Sequence, residues 1–119
     1  LFRSNQVIKV ENLNQGLEYL NLSHNEVKKI ENLNGDLRYL ELEENQIKKI
    51  ENLNESLEVL YLSHNEVTKI ENLSLNLKWI TLVNNPITEA EEAIQHHPKG
   101  LKMLLDHCCR RLVPSWMHF

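Results

Sequence analysis

Five side chains that could ligate zinc lie near the carboxyl end of the sequence: His96, His97, His107, Cys108 and Cys109. Structural zinc sites usually take their cysteines and histidines in pairs that are separated by a few residues, so that both side chains reach one ion. Here the residues form adjacent pairs, and adjacent side chains on a helix do not face each other. We therefore predict no metal site. The sequence also contains no glycine-rich phosphate loop and no serine elbow, so we predict no enzyme activity and no cofactor.

The composition is that of an ordinary globular protein. The 119 residues are 41% hydrophobic and 25% charged, and the formal net charge is −4. Because binding to phosphate backbones requires a basic surface, we expect no nucleic acid partner. No apolar run approaches the roughly 20 residues of a membrane-spanning helix, so we expect no membrane partner either. The two cysteines are adjacent and cannot cross-link distant segments, which favours a reducing, cytoplasmic (intracellular) location.

A repeat with a period of 20 residues runs through most of the chain. In each period the pattern Leu-x-x-Leu-x-Leu is followed by Asn and by further aliphatic residues, as in residues 17–33. Leucines two apart suit one face of a short strand, and the later apolar positions turn the chain back over the same core. One coil cannot stabilise itself, because ordering each residue costs roughly 1–2 kcal/mol. Coils must therefore stack, and their strands form a parallel sheet.

An asparagine follows each predicted strand at the point where the chain must turn. The Asn side chain has both a carbonyl and an NH₂ group, so a column of them can bond to the turn and to the next coil. We therefore predict a structural ladder rather than a binding site. Its members are Asn25, Asn45, Asn65 and Asn85.

The pattern Leu-x-x-Leu-x-Leu-x-x-Asn-x-Val-x-x-Ile at residues 17–30 resembles the leucine-rich repeat. The resemblance covers residues 2–87, and the phrase Ile-Glu-Asn-Leu is similar to repeats of intracellular members of the family. The resemblance implies an α/β solenoid, a curved coil with a parallel β-sheet on a concave face that binds macromolecular partners. We divide the chain into leucine-rich repeats over 1–87, with a partial first repeat and four of period 20, and a helical C-terminal cap and tail over 88–119.

The helical cap is predicted from the residues that follow the repeats. The segment Thr88 to Glu91 has the capping-box pattern that begins a helix. Beyond Pro98, apolar residues recur at spacings of three and four, which is typical of an amphipathic helix. These residues are Leu101, Leu104, Leu105, Cys108, Cys109 and Leu112. Such a helix would cover the open end of the solenoid.

The side chains between the buried leucines are predicted to point outward from the concave face. One column contains Tyr19, Tyr39, Val59 and Trp79, and large amphipathic rings are the side chains that anchor protein interfaces. Five glutamates share this face with Arg38 and Lys78, which indicates a basic partner segment. Alternatively, the stacked aromatic side chains only cover the sheet. The predicted partner-binding residues are Tyr19, Tyr39, Glu41, Glu43, Glu44, Tyr61 and Trp79.

These features together predict a non-enzymatic protein-interaction module or scaffold that binds a protein partner on its concave face. One alternative is a structural subunit of a large assembly, cytoskeletal or axonemal for example. Another is a substrate-recognition adaptor of a ubiquitin ligase, because Leu104-x-x-x-Cys108-x-x-x-Leu112 resembles the leading helix of adaptor boxes that dock Elongin C. The sequence begins partway through a strand, with Phe2 at the register of Leu22, so we expect the protein to be part of a larger chain or complex.

Overall fold

Short strands and 3₁₀ helices make up the regular structure of this chain. The computed structural model describes residues 7–119, and the predicted partial first repeat, with Phe2 and Asn5, lies outside the described residues. The strands are β1 (Tyr19–Asn21), β2 (Tyr39–Glu41), β3 (Val59–Tyr61), β4 (Lys69–Ile70), β5 (Trp79–Thr81), β6 (Glu89–Ala90) and β7 (Lys102–Leu104). The 3₁₀ helices are η1 (Glu92–His96), η2 (His107–Leu112) and η3 (Ser115–Met117). No helix within residues 7–119 is long and apolar enough to cross a membrane.

A five-stranded parallel sheet has the order β1-β2-β3-β5-β7. Leu40 lies opposite Leu20 and Leu60, so each step between neighbouring strands of the repeats advances the sequence by one 20-residue period. The backbone continues these contacts beyond the strands, as when the Leu22 amide donates to the Glu41 carbonyl at 2.8 Å. The predicted parallel solenoid of stacked coils is confirmed.

The core is a continuous stack of aliphatic side chains inside the coils. Leu40 and Leu42 have no exposed surface, and the residues that return the chain, such as Ile47 and Ile50, are equally buried. Equivalent leucines of neighbouring coils are lateral neighbours, because the strands are in parallel register. This packing holds the strands in place and turns their alternate side chains to the outside.

The asparagines after the strands are buried and bond across neighbouring coils. The Asn45 side chain accepts from the Val27 amide at 2.9 Å. It donates to the carbonyls of Leu22 at 3.0 Å and Leu42 at 3.1 Å. Asn65 makes the equivalent bonds one coil later, to Ile47, Leu42 and Leu62. Each side chain therefore satisfies backbone groups in its own coil and in the preceding one.

Two further asparagine columns were not predicted. Asn32 and Asn52 have φ angles of 56° and 57°, in the left-handed region that Asn tolerates better than most residues. Each donates to a carbonyl of the preceding coil, Val10 for Asn32 and Ile30 for Asn52. Asn34 likewise donates to the Leu17 carbonyl at 2.8 Å. The repeated phrase Glu-Asn-Leu-Asn is thus a turn that is bonded to the coil before it.

The prediction of a helical cap is wrong at its start. The segment Thr88 to Glu91 does not begin an α-helix, because Glu89 and Ala90 form β6 and pair with Lys69 and Ile70. Glu91 precedes the short helix η1 without any side-chain capping bond. The chain here repeats the path of the preceding coil, and its backbone groups pair with that coil instead.

The prediction is also wrong beyond Pro98, where β7 takes the place of the amphipathic helix. Leu101, Met103 and Leu105 are buried, while Leu104 is 36% exposed. This alternation has the period of a strand, and β7 adds to β5 with Met103 opposite Ile80. A helix would leave the hydrogen-bonding groups at the edge of β5 unpaired, whereas a fifth strand satisfies them. Among the described residues the cap contains 3₁₀ turns and no α-helix.

Candidate protein-interaction surface

The five-stranded sheet exposes one face, which we call the sheet face, through two columns of side chains. They alternate with the buried leucines, because successive strand residues point to opposite sides. The register defines a first column of Tyr19, Tyr39, Val59, Trp79 and Lys102. The second column consists of Asn21, Glu41, Tyr61, Thr81 and Leu104, of which Thr81 is buried. The face therefore changes from polar to apolar along the second column.

At β1 and β2, two tyrosines and one glutamate are in contact. The rings of Tyr19 and Tyr39 are 6.4 Å apart between centroids and tilted by 55°. The Tyr19 hydroxyl donates to the Glu41 carboxylate. This hydrogen bond raises the pKa of Tyr19 above its usual value, with smaller contributions from desolvation and from the charge of Glu41. The contact joins both columns into one aromatic and acidic surface.

Alternating charges line the side of the sheet face just before the strands. Arg38 lies 3.1 Å from Glu58 and 3.8 Å from Glu18, and Lys78 lies 4.0 Å from Glu58. These exposed pairs contribute little to stability. They do neutralise one another, so the negative charge of the sheet face lies chiefly with the glutamates beyond them.

Glu43 and Glu44 follow β2 at the opposite side of the face. Glu44 has a φ angle of 55° and lies in the turn, where its carboxylate contacts the imidazole of His24. The Glu43 backbone amide donates to the Ser23 hydroxyl at 3.1 Å. The Glu43 carboxylate has no ion pair with any residue in 7–119. Of these two carboxylates, only that of Glu44 therefore has an ionisable partner among residues 7–119.

At β5 and β7 the face combines the apolar side chains of Trp79 and Leu104 with the exposed Lys102, and it includes an aromatic residue that sequence reasoning missed. The rings of Trp79 and Phe119 meet edge to face with centroids 4.7 Å apart. The Phe119 amide donates to the Met103 carbonyl at 3.2 Å, and Arg110 donates to the Phe119 carbonyl at 3.0 Å. Phe119 is still 72% exposed. Its aromatic type was the available signal, but no periodicity places the tail against Trp79.

The structure brings the predicted residues together in two groups rather than in one continuous column. Tyr19, Tyr39 and Glu41 are in contact on β1 and β2. Trp79 lies two strands further on, and the smaller Val59 occupies the first column between Tyr39 and Trp79. Partner binding by these residues stays a prediction.

The cysteine and histidine residues of the cap do not gather into a metal site in the described chain. No group of three His, Cys, Asp or Glu side chains within residues 7–119 is arranged to hold an ion. The expectation that the cysteine side chains point apart does not hold, because the sulfurs of Cys108 and Cys109 are 3.7 Å apart. Burial raises the pKa of the Cys109 thiol, with a smaller effect from Cys108. The imidazole of His97 contacts the Ser74 carbonyl at 3.0 Å.

A small apolar cavity lies between the fourth coil and η1. It has a volume of about 90 Å³ and is lined by Ile70, Leu73, Ile94 and His97 among others. Pockets that enclose drug-sized molecules usually measure about 300–1,000 Å³. This cavity is therefore too small to enclose a molecule of that size.

The parallel register, the buried leucine columns and the bonded asparagine turns define a solenoid of the leucine-rich-repeat type. Among solved structures, the chain is similar to YopM from Yersinia enterocolitica WA-314, with a TM-score of 0.70 and 26% sequence identity. The match covers 82% of this chain and 21% of the YopM chain, so the chain spans about a fifth of that protein. Neither the family models nor the curated proteins contain a match. Solenoids of this type are generally protein-interaction modules.

Proposed function

We propose that the protein is a non-enzymatic interaction module that binds a protein partner through the sheet face, on the concave side of the solenoid. The observation that carries this proposal is the exposure of large aromatic rings on the five-stranded parallel sheet. Tyr19 and Tyr39 are 48% and 41% exposed, although burial of aromatic surface is favourable. Exposed tyrosine and tryptophan side chains are typical of interface anchors.

The proposed partner presents a basic segment to this face. Support comes from the distribution of charge, because Arg38 and Lys78 are already paired with Glu58. Glu41 accepts from the Tyr19 hydroxyl, Glu43 follows it two residues later, and neither carboxylate has a basic partner in the described chain. A cationic side chain could contact a carboxylate and a ring face at once.

An affinity capture experiment tests the proposal. Wild-type protein, the double variant Tyr39→Ala with Trp79→Ala, and the control variant Lys28→Glu would each be immobilised and exposed to cell extract. We expect a set of proteins that the wild type and Lys28→Glu retain and the double variant loses. Circular dichroism would verify that all three proteins are folded. Equal capture by the double variant would refute a binding role for the sheet face.

The ubiquitin-ligase adaptor is not proposed, because the helix that it requires is not formed. Leu104 lies on β7 and Cys108 lies on η2, so they do not share one helical face. We do propose a cytoplasmic location. Its support is the pair of free, adjacent cysteines, which contribute no cross-link to the fold.

A further inference from the structure

We infer that the sheet face holds two chemically different sites and therefore binds its partner in one fixed orientation. The inference rests on the proposed function and adds the kind of partner. The acidic site consists of Tyr19, Tyr39, Glu41 and Glu43. The apolar site consists of Tyr61, Trp79, Leu104 and Phe119. The partner is a peptide segment with arginine or lysine at one end and large apolar side chains at the other.

The acidic site is built to receive a cation. Its rings are held by their mutual contact and by the bond from the Tyr19 hydroxyl to Glu41. A guanidinium group stacks on a tyrosine ring and also pairs with a carboxylate, so arginine fits both features of this site. Glu43 adds a second carboxylate that no residue in 7–119 neutralises through an ion pair.

The apolar site lacks a carboxylate at the position equivalent to Glu41, and the carboxylate of Asp106, just beyond β7, accepts from the Asn84 amide at 3.0 Å. The register places Tyr61 opposite Glu41, and Leu104 follows two strands later in the same column. Leu104 is 36% exposed and Phe119 is 72% exposed, which leaves an apolar surface around Trp79. Burying such side chains is worth about 25 cal/mol per Å² of apolar surface, so aliphatic or aromatic partner side chains are favoured here.

Basic residues beside the apolar site oppose the reversed orientation. Lys102 lies next to Trp79 across the sheet, and its ammonium group donates to the Trp116 carbonyl. Arg110 binds the carbonyl of Phe119. The basic end of the partner would meet like charge here, whereas at β1 and β2 it meets Glu41 and Glu43. Opposite charge at one end and like charge at the other are the features that fix orientation in an interface.

The spacing of the strands sets the length of the segment. Neighbouring strands are about 4.8 Å apart, so β2 and β5 are separated by about 10 Å, and β1 and β7 by about 19 Å. An extended peptide advances about 3.3 Å per residue, so three to about six residues cover this span. Val59 lies between the two sites and offers a small apolar contact to the linking residues.

Selection from a random 16-residue peptide library displayed on phage tests this inference. The library would be selected separately on wild-type protein, on Glu41→Gln with Glu43→Gln, on Trp79→Ala, and on the control Lys28→Glu. We expect wild-type and control selections to share peptides with a basic block and an apolar block in a constant order. Replacing the basic block by serine should weaken binding at least tenfold on wild type and less than twofold on the double glutamine variant. Replacing the apolar block by serine should weaken binding at least tenfold on wild type and less than twofold on Trp79→Ala.

The outcomes separate this inference from the proposed function. If peptides are selected and lose affinity on Trp79→Ala, but carry a single block or both blocks in random order, the fixed orientation is overturned and the interaction surface stands. The fixed orientation is also overturned if replacing the basic block weakens binding by the same factor on Trp79→Ala as on the double glutamine variant. If the peptides bind all four proteins equally, or if no peptide is enriched on wild type, the sheet face is not a binding surface and both proposals fail.

Discussion

Replacing Asn45 by alanine should destabilise the protein substantially without touching the sheet face. Asn45 is 8% exposed and accepts from the Val27 amide, while its NH₂ group donates to the carbonyls of Leu22 and Leu42. The Leu22 carbonyl keeps a second donor in Asn25. The Leu42 carbonyl likewise keeps a donor in Asn65, so the variant strands chiefly the Val27 amide. An unsatisfied buried group costs about 1–3 kcal/mol, so we expect a loss of about 1–3 kcal/mol.

Urea titration followed by circular dichroism measures this loss. The control is Gln46→Ala, the next residue along the chain, which is not fully buried and should change the free energy of unfolding by less than about 0.5 kcal/mol. Asn45→Asp is a second informative variant, because it keeps an acceptor for Val27 but loses the donor and buries a charge. If Asn45→Ala matches Gln46→Ala within error, the asparagine column does not support the coils and the hydrogen-bond argument is refuted.

Four further predictions follow from the core and the sheet face. Leu40→Ala should cost about 2–5 kcal/mol in urea titration because Leu40 is fully buried, whereas Lys48→Ala should cost less than about 0.5 kcal/mol; equal losses would contradict the inside and outside assignments. Once a partner is known, Trp79→Ala should weaken its binding by about 2 kcal/mol or more in calorimetry, and an unchanged affinity would exclude Trp79 as an anchor. Glu43→Lys with Glu44→Lys should mainly slow association in stopped flow and flatten its salt dependence, unlike Lys28→Glu with Lys49→Glu. Tyrosinate absorbance should show that Tyr19 ionises at a higher pH in the wild type than in Glu41→Gln, because Glu41 raises the pKa of Tyr19. The stability that this contact contributes is present below pH 10.0 and is lost as the pH rises through the raised pKa. Identical titrations of the two proteins would contradict the contact.

The coils could be predicted from the sequence because burial repeats at a constant interval. Leu20, Leu40 and Leu60 are separated by one period, and any other register would place polar residues inside. The left-handed turns at Asn32 and Asn52 were also legible in principle, because Asn is enriched in that region. They were not predicted, because the apolar spacing assigns no structure to the polar residues that lie between the apolar positions.

The cap could not be predicted in the same way, because its apolar residues fit two periods. Leu101, Leu104 and Leu105 have helical spacing, while Leu101, Met103 and Leu105 alternate as in a strand. Periodicity alone cannot separate these interpretations for a short apolar run. The edge of β5 decides between them, since it offers unpaired backbone groups to the next segment. That edge exists only after the coils have formed, so the choice between helix and strand depends on tertiary structure rather than on the local sequence.

The sequence predicts which strand residues share a column of the candidate site, but it does not predict which side chains contact each other. Tyr19 and Tyr39 were placed correctly as lateral neighbours by their 20-residue separation. The bond from Tyr19 to Glu41 crosses from one column to the other, and it depends on side-chain length and direction rather than on period. The contact between Trp79 and Phe119 depends on the path of a segment outside the repeats. These two contacts, neither of which was predicted, lie in the two chemically different halves of the sheet face.

The two halves of the sheet face can differ because the buried positions of a coil determine its fold, whereas the exposed positions do not. Glu41 and Tyr61 occupy equivalent exposed positions on neighbouring strands, although one is acidic and the other aromatic. The leucines beside them, Leu40 and Leu60, are identical and fully buried. Since strand register is set by the inward side chains and the turns, the outward columns can change chemistry from one coil to the next without altering the backbone. The fold of the solenoid therefore lies in the positions at which its repeats agree, and the chemistry of its exposed face lies in the positions at which they differ.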